Sequence, residues 1–308
     1  MAQGKAVPNI AVGPQGSADW ACDAVRAGGG EVVDASEAQG LVWTDFDSTA
    51  QLVETLANNP GITWVQVPFS GVETYMPYID ETRTWTSAKG VFGGAVAELA
   101  LGLLLGGMRH VAGYARQQHW TEDHGRTLFG ARITILGAGG IAQSLISMLK
   151  PFNCHITVVR NREGGVPGAD VVLTTSRLHE ALKDADAVLM AIALTPHTQG
   201  IMGKAEFQSM QSHAWVVNVG RGKQIVTDDL VWALETGEIG GAALDVTDPE
   251  PLPTGHPLWS LPNCIITPHV GNTAEMVPPL LALRIAENVR RFAAGEQLIG
   301  IVDRTVGY

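Results

Sequence analysis

Several features that would place the chain in a specialised class are scarce in its 308 residues. It has three cysteines, Cys22, Cys154 and Cys264, and none belongs to a CxxC pair, which argues against a disulfide framework and against a zinc cluster. Basic residues are also few, since 20 Lys and Arg stand against 31 Asp and Glu, for a formal net charge of −11. Without a basic stripe the chain cannot neutralise a run of phosphates, so we expect no nucleic-acid partner.

Long apolar runs are also lacking. The most apolar stretch, residues 95–108, contains Glu98 and is shorter than the roughly 20 residues that a helix needs to cross a bilayer. Residues 1–17 carry one Lys and no long apolar run, which does not fit a secretory signal peptide. We therefore expect no membrane association, and the unpaired cysteines favour the reducing cytoplasm.

The remaining composition is typical of a folded protein, with 45% hydrophobic and 17% charged residues. The length suggests two domains. Short apolar runs alternate with helical patterns in the first 90 residues, and this alternation predicts a parallel sheet flanked by helices. The predicted strands are 9–13, 32–34, 40–43 and 63–67, with a helix over 48–56.

A second series of strand and helix patterns begins near residue 131. It predicts a doubly wound parallel sheet of six or seven strands, so the whole chain is of the α/β class. Between the two series, residues 95–114 are apolar nearly all round, as in a buried helix. A long helix is predicted over 277–293. The second-series strands are 132–136, 155–159, 171–173, 187–191, 215–219, 242–246 and 264–267.

A glycine-rich turn follows the first strand of this second series. Residues 133–142 read ITILGAGGIA, which is a GxGxxG/A pattern lying between a strand and a helix. In this pattern the first two glycines permit the tight turn and the close approach of a pyrophosphate, and the final small residue lets helix pack on strand. We therefore predict a dinucleotide site at Gly137, Gly139, Gly140, Ile141 and Ala142.

The next strand ends in Arg160, Asn161 and Arg162, where an NAD-binding domain places an acidic residue for the ribose hydroxyls. A guanidinium binds a 2′-phosphate by donating hydrogen bonds to it, whereas a carboxylate would repel the phosphate. The residues therefore favour NADP as cofactor and leave NAD possible.

Three later strands also end in residues with catalytic chemistry. Arg221 follows strand 215–219, Glu250 follows 242–246, and His269 follows 264–267. Parallel strands of an open α/β sheet bind ligands at their carboxyl ends. Each residue alone is typical of a loop, but together they supply a carboxylate anchor, a proton donor and a partner that keeps the donor charged.

The chain resembles the D-isomer-specific 2-hydroxyacid dehydrogenases, which include glyoxylate/hydroxypyruvate reductases. The resemblance covers most of the chain and rests on motifs in the family's order: VQVPFSGVE, VAELALGLLLGGMRH, ITILGAGGIA, LTPHTQGIM, VVNVGRG, GGAALDVTDPEPLPTGHPLW and LPNCIITPHVGNT. It implies a Rossmann-type cofactor domain, residues 95–275, inserted in a smaller flavodoxin-like substrate domain, residues 1–94 plus 276–308. It also implies a homodimer that pairs through the cofactor domains, and no metal.

The resemblance assigns roles to particular residues. Arg221 would bind the substrate carboxylate and keto oxygen, His269 would be the general acid and base, and Glu250 would hydrogen-bond His269. Further cofactor contacts are implied at Thr195, Pro196, Val219, Asp245 and Gly271, and substrate contacts at Ser70, Gly71 and Val72. Phe69 departs from the small polar residue common in the family at this position, which indicates a more apolar pocket entrance.

The expected reaction is hydride transfer between NADPH or NADH and the C2 carbonyl of a small 2-keto acid, giving a D-2-hydroxy acid. Two alternatives stay open. Some relatives are dinucleotide-sensing, corepressor-like regulatory proteins, and others oxidise formate or phosphite on the same scaffold. The presence of Arg221, Glu250 and His269 favours the reductase over the regulator, and Glu250, where formate dehydrogenases have Gln, disfavours formate oxidation.

Overall fold

The computed structural model describes residues 7–16 and 18–304. They form two compact units. One contains the residues up to Phe92 together with those from Thr273 onward, and the other is Gly93–Asn272. These divisions lie two and three residues before the predicted boundaries at 94/95 and 275/276. The assignment of the units to substrate and cofactor stays a prediction.

Strands and helices of the described residues mostly alternate along the chain. The strands are β1 Asn9–Gly13, β2 Glu31–Val32, β3 Gly40–Trp43, β4 Trp64–Gln66, β5 Thr84–Thr86, β6 Arg132–Leu136, β7 His155–Arg160, β8 Val171–Thr174, β9 Ala187–Met190, β10 Trp215–Asn218, β11 Gly241–Leu244 and β12 Cys264–Ile266. The helices are α1 Asp19–Ala27, α2 Thr49–Asn58, α3 Gly93–Met108, α4 Val111–Tyr114, α5 Gly140–Leu149, α6 Leu178–Leu182, α7 Lys204–Gln208, α8 Thr227–Glu235 and α9 Val277–Ala294.

In the first unit the described strands form a parallel sheet in the order β2-β1-β3-β4-β5. This is the flavodoxin-like order, so the predicted fold class is confirmed for this unit. The sequence pattern did not predict β5, because it is three residues long and Thr84 and Thr86 flank its only apolar residue. The Thr86 hydroxyl lies 2.9 Å from Gln66 Oε1 and 3.2 Å from Val65 O and can donate its proton to either, and its oxygen accepts the Trp64 Nε1–H at 2.8 Å, which holds β5 beside β4.

The C-terminal helix α9 belongs to the first unit and is fastened to its sheet by buried Asn288. The Asn288 side-chain amide donates to Gln66 Oε1 and to the carbonyl oxygen of Ile299, both at 3.0 Å. Its oxygen accepts the Ile299 N–H at 2.8 Å. Because buried polar groups are stable only when paired, Asn288 fixes both the helix and the chain that follows it.

In the second unit the described strands form a parallel sheet in the order β12-β11-β10-β9-β6-β7-β8. The order reverses direction at β6, which confirms the predicted doubly wound, Rossmann-type arrangement. Alternate residues of β9 and β10 enter two buried clusters, one with α6, α7 and α8 and the other with α3 and α5. The predicted helix over 95–114 is interrupted, because His110 has φ +55° and separates α3 from α4.

A histidine–carboxylate pair lies at the amino ends of these strands. Asp186, just before β9, accepts the Arg132 N–H at 2.8 Å and contacts His213 Nε2 at 2.7 Å. Burial alone would raise the pKa of the Asp186 carboxyl. The hydrogen bonds from the Arg132 backbone and from His213 outweigh burial, so the pKa is lowered. This pair ties β6, β9 and the start of β10 together.

Candidate active site

The glycine-rich turn joins β6 to α5 and has the geometry that a dinucleotide requires. Gly137 has φ +108°, and a Cβ on it would lie 2.4 Å from Ala191 O, so no other residue fits there. Its N–H donates to Val159 O at 2.8 Å. Gly139 caps α5, and no described atom lies within 4 Å of where its Cβ would be. The turn therefore leaves room for a phosphate at the N-terminus of a helix.

The other residues predicted in this turn have matching positions. Gly140 and Ile141 form the first turn of α5, and Ala142 is fully buried against the sheet. A larger side chain than Ala142 would push the helix away from β6. These residues fit a pyrophosphate, whose charge the helix N-terminus favours.

Arg160 is the last residue of β7, the strand next to β6. It lies beside the glycine-rich turn, because the Gly137 N–H bonds to Val159 O. Asn161 and Arg162 follow and are exposed, while Arg160 is half-buried. Two arginines thus stand at the end of β7, followed by the exposed Glu163, and their guanidinium groups can pair with a 2′-phosphate.

Arg221 lies just beyond the carboxyl end of β10, and its backbone is held on both sides. Its N–H donates to Gln224 Oε1, and its carbonyl oxygen accepts from Asn218 Nδ2, each at 3.0 Å. A Cβ on Gly222 would fall 1.9 Å from Thr247 O, so the chain passes too close to the loop after β11 for any residue but glycine. The guanidinium of Arg221 therefore projects from a fixed backbone, and its Nη1 donates to Gly220 O at 2.9 Å.

His269 and Glu250 form a hydrogen-bonded pair although 19 residues separate them. His269 Nδ1 lies 2.6 Å from Glu250 Oε1, and the two side chains are 52% and 41% exposed. A carboxylate at Nδ1 holds the proton on that nitrogen, so Nε2 is the atom that exchanges a proton with a substrate. The arrangement is that of a general acid–base with an orienting carboxylate.

Asp245 has a role that the sequence did not reveal. It is buried, and its Oδ1 accepts the hydroxyl of Thr267 at 2.6 Å and the N–H of Val270 at 2.8 Å. Its Oδ2 accepts the N–H of Gly271 at 2.9 Å, and its carbonyl oxygen accepts the N–H of His269 at 2.9 Å. Asp245 therefore shapes the loop that carries His269, whose φ is +53°. Contact of Asp245 and Gly271 with a cofactor stays a prediction.

The remaining cofactor residues follow β9 and β10. Val219 is buried directly after β10, and Thr195 and Pro196 lie in the turn after β9. The sequence did not single out Thr198, yet its Oγ1 donates to Ala193 O and accepts the Thr195 N–H, both at 2.7 Å. The spacing Thr-Pro-x-Thr is the signal that could have found it, because a threonine hydroxyl often closes a turn onto the backbone.

Ser70, Gly71 and Val72 follow β4 in the first unit, whereas the other predicted site residues belong to the second. Ser70 Oγ donates to Ala88 O at 2.9 Å. Val72 is buried, and its carbonyl oxygen accepts the N–H of Tyr75 at 2.9 Å. This segment is therefore a well-anchored turn at the carboxyl edge of its own sheet.

Residues 7–16 and 18–304 offer neither a metal-binding cluster nor a membrane-spanning helix. No group of three or more His, Cys, Asp or Glu side chains in this part of the chain could hold a metal ion. No helix there has the length and apolarity to span a membrane.

Comparison with known proteins places the chain in a family. Residues 101–271 match the family described as D-isomer specific 2-hydroxyacid dehydrogenase, NAD binding domain. A protein of Corynebacterium melassecola, described as uncharacterized in the proB 3′ region, is 38% identical over 292 residues, which are 92% of this chain and 95% of that one. The glyoxylate reductase/hydroxypyruvate reductase of Homo sapiens is 35% identical over 215 residues, 66% of this chain and 64% of that protein.

A solved structure agrees over nearly the whole chain. The D-isomer specific 2-hydroxyacid dehydrogenase of Xanthobacter autotrophicus Py2, in complex with NADPH and MES, has a TM-score of 0.83 and 25% identity, covering 98% of this chain and 100% of that one. The resemblance and the fold class predicted from the sequence are thus confirmed. The chain belongs to the D-isomer specific 2-hydroxyacid dehydrogenase family of oxidoreductases.

Proposed function

We propose that this protein reduces the C2 carbonyl of a small 2-keto acid to a D-2-hydroxy acid, with NADPH preferred and NADH possible. The observation that carries the proposal is the His269–Glu250 pair, 2.6 Å apart, at the carboxyl edge of the sheet that also carries the glycine-rich turn. The related human protein is named glyoxylate reductase/hydroxypyruvate reductase, which supports a 2-keto acid as the kind of substrate that is reduced.

The residues divide the work of the reaction. Gly137, Gly139 and the N-terminus of α5 would hold the cofactor pyrophosphate, and the cofactor supplies hydride to the substrate C2. Arg221 pairs with the substrate carboxylate and orients the carbonyl. As hydride arrives, His269 Nε2 donates a proton to the developing alkoxide. Glu250 accepts the hydrogen bond from Nδ1–H and fixes the orientation of the imidazole ring.

The backbone of Ser70, Gly71 and Val72 supplies further donors to the substrate carboxylate. Its anchoring to Ala88 and to buried Tyr75 means that little ordering is needed when the substrate binds. Fixed donors orient the substrate and lower the barrier by placing the carbonyl for attack.

The proposal is tested on His269→Ala, with His213→Ala as the matched control. Both histidines pair with a carboxylate at nearly the same distance, but His213 lies at the opposite edge of the sheet. We expect His269→Ala to lower kcat by about 10²–10⁴-fold, with NADPH binding retained in a fluorescence titration. The folded fraction of His213→Ala should turn over normally. A His269→Ala enzyme with near-normal kcat would remove this residue from the mechanism.

Cofactor preference is tested at Arg160. Loss of a charge-assisted contact to the 2′-phosphate should lower kcat/KM for NADPH about 10–100-fold in Arg160→Ala, while kcat/KM for NADH changes little. Arg132→Ala is the matched control, because Arg132 lies at the amino end of the neighbouring strand β6. Equal losses with both cofactors would contradict the assigned contact.

We further propose that the protein is a homodimer that pairs through the second unit. Val111, Trp120 and Phe129 of this unit are large apolar side chains exposed to solvent, and Trp120 is fully exposed. Exposed apolar side chains of this size are typical of protein–protein contacts. Light scattering coupled to size exclusion should give twice the 32.6 kDa chain mass.

The cytoplasmic location stays a prediction from cysteine usage.

A further inference from the structure

Two aromatic side chains face solvent at the carboxyl edge of the first unit. Phe46 follows β3 and Phe69 follows the neighbouring strand β4. Their ring centroids lie 4.9 Å apart with the planes at 68°, an edge-to-face contact, and the residues are 39% and 36% exposed. Because exposed aromatic surface is costly in water, a paired and exposed arrangement points to a surface that a ligand covers.

Phe69 is held next to the turn assigned to the substrate carboxylate. It directly precedes Ser70, and its carbonyl oxygen accepts the Ala88 N–H at 2.8 Å. Ser70 Oγ returns a bond to Ala88 O at 2.9 Å, and Val72 is buried just beyond. Phe69 is therefore held by hydrogen bonds directly before the turn that is assigned to the substrate carboxylate.

Phe46 also lines a cavity of about 290 Å³ in the same unit. Its walls include the apolar residues Pro14, Trp20 and Val277 and the acidic residues Asp45 and Asp47. Phe46 thus contacts both this cavity and the ring of Phe69. An apolar substituent lying along the two rings would cover exposed aromatic surface and enter a preformed space.

The charge of this edge restricts the ligand further. The loops at residues 44–48, 69–75 and 273–276 contain Asp45, Asp47, Glu73 and Glu275 and no Lys or Arg. Asp45 and Asp47 also line the cavity, and none of the described residues that line it is Lys or Arg. A substrate with a second carboxylate or a phosphate would therefore meet like charges, which repel it.

We infer that the substrate is a monocarboxylic 2-keto acid whose C3 bears an uncharged apolar group of aromatic size, such as phenylpyruvate, and that Phe46 and Phe69 select it. The inference rests on the proposed function and specifies its substrate class. It distinguishes this chain from reductases of two- and three-carbon keto acids, whose substrates have no group to cover the two rings.

The test measures kcat/KM for phenylpyruvate, pyruvate and oxaloacetate by NADPH absorbance, for the wild type and for Phe69→Ala and Phe46→Ala. We expect the wild type to have a higher kcat/KM for phenylpyruvate than for pyruvate. Each variant should lower the ratio of these two kcat/KM values about tenfold or more, because removing one ring removes apolar contact with the substrate side chain. Tyr78→Ala, which removes another exposed aromatic of the same unit, should leave the ratio unchanged. Melting temperatures show whether each variant is folded.

A second variant tests the charge. In Asp45→Asn the side-chain oxygen that accepts the Asp47 N–H at 2.7 Å is kept, while the charge is removed. The kcat/KM for oxaloacetate should rise several-fold relative to pyruvate, with the gain shrinking at high salt. Because the variant keeps this hydrogen bond, a change in loop structure alone would alter kcat/KM for oxaloacetate and for pyruvate by the same factor.

The outcomes separate the two proposals. If the wild type reduces pyruvate or glyoxylate but not phenylpyruvate, or if Phe69→Ala and Phe46→Ala leave the substrate ratio unchanged, the selection by aromatic side chains is refuted and the reductase function stands. If no 2-keto acid is reduced with either cofactor, the proposed function itself fails and the inference fails with it.

Discussion

Replacing Asp245 by asparagine removes one interaction from the loop that carries His269. The asparagine oxygen can keep the bonds from Thr267 Oγ1 and the Val270 N–H, since both reach the same carboxylate oxygen. The new NH₂ group then faces the Gly271 N–H, which is buried and loses its acceptor at 2.9 Å. A hydrogen bond to a charged group contributes about 1.5–3 kcal/mol, and an unsatisfied buried donor adds to the cost, so we expect a loss of about 2–4 kcal/mol in the free energy of unfolding.

The same substitution should lower turnover without any direct contact with substrate. The N–H of His269 bonds to the carbonyl oxygen of residue 245, so a loop that relaxes around the new side-chain amide also moves the imidazole. A displacement of about 1 Å at a catalytic group costs up to about 100-fold in rate. We therefore expect Asp245→Asn to lower kcat at saturating NADPH by roughly 10–100-fold and to lower the melting temperature by about 5–10 °C.

Calorimetry and steady-state kinetics measure the two effects, and Thr267→Val is the matched control. That variant removes one donor but leaves both N–H bonds to the carboxylate, so it should lose about 1 kcal/mol and keep kcat within a few-fold. An Asp245→Asn protein with wild-type melting temperature and kcat would refute the positioning argument. A raised KM for NADPH with unchanged stability would instead favour the direct cofactor contact that the family resemblance implies.

Three further predictions concern single residues. Gly137→Ala should weaken NADPH binding by about 100-fold or more in a fluorescence titration, because the new methyl would meet Ala191 O at 2.4 Å in a left-handed backbone. The pKa of Asp186 is lowered in the folded state, so this carboxylate stabilises the fold above its unfolded pKa of about 3.9. The stabilisation is lost as the pH falls through the folded pKa. Urea unfolding should therefore show that Asp186→Asn is less stable than the wild type at pH 7 and that the difference vanishes in strong acid. Asn288→Ala should cost about 2–4 kcal/mol in the same assay, whereas Leu283→Ala on the exposed face of the same helix should cost under about 0.5 kcal/mol, and equal effects would contradict the role of the buried amide.

The alternation of strands and helices could be predicted because apolar periodicity is a local property. The predicted strands of the second unit match the observed ones to within one or two residues at each end. The apolar pattern fails where hydrogen bonds rather than apolar residues determine where a strand forms or a helix ends. Strand β5 is held by the side chain of Thr86, and the predicted helix over 95–114 breaks at His110, whose φ of +55° no propensity signals.

Some parts of the site could be predicted and others could not, because the sequence pattern reports only local features. The turn at Gly137 could be found because strand, glycines and helix are contiguous in the chain. Thr198 was missed, because the Thr-Pro-x-Thr spacing is a weaker signal and the two hydrogen bonds of its hydroxyl form only in the folded turn. Phe69 was noted as unusual, but its contact with Phe46, 23 residues earlier, depends on β3 and β4 being neighbours in the sheet.

The amino-acid sequence by itself determined the family, the order of its motifs and the local shape of the dinucleotide turn, because each of these is written in contiguous residues. Only the tertiary structure decided which nitrogen of His269 faces Glu250 and that Asp245 holds the His269 loop. These contacts join residues 19 and 26 positions apart at the ends of different strands. Their formation depends on strand order and register, which long-range packing sets.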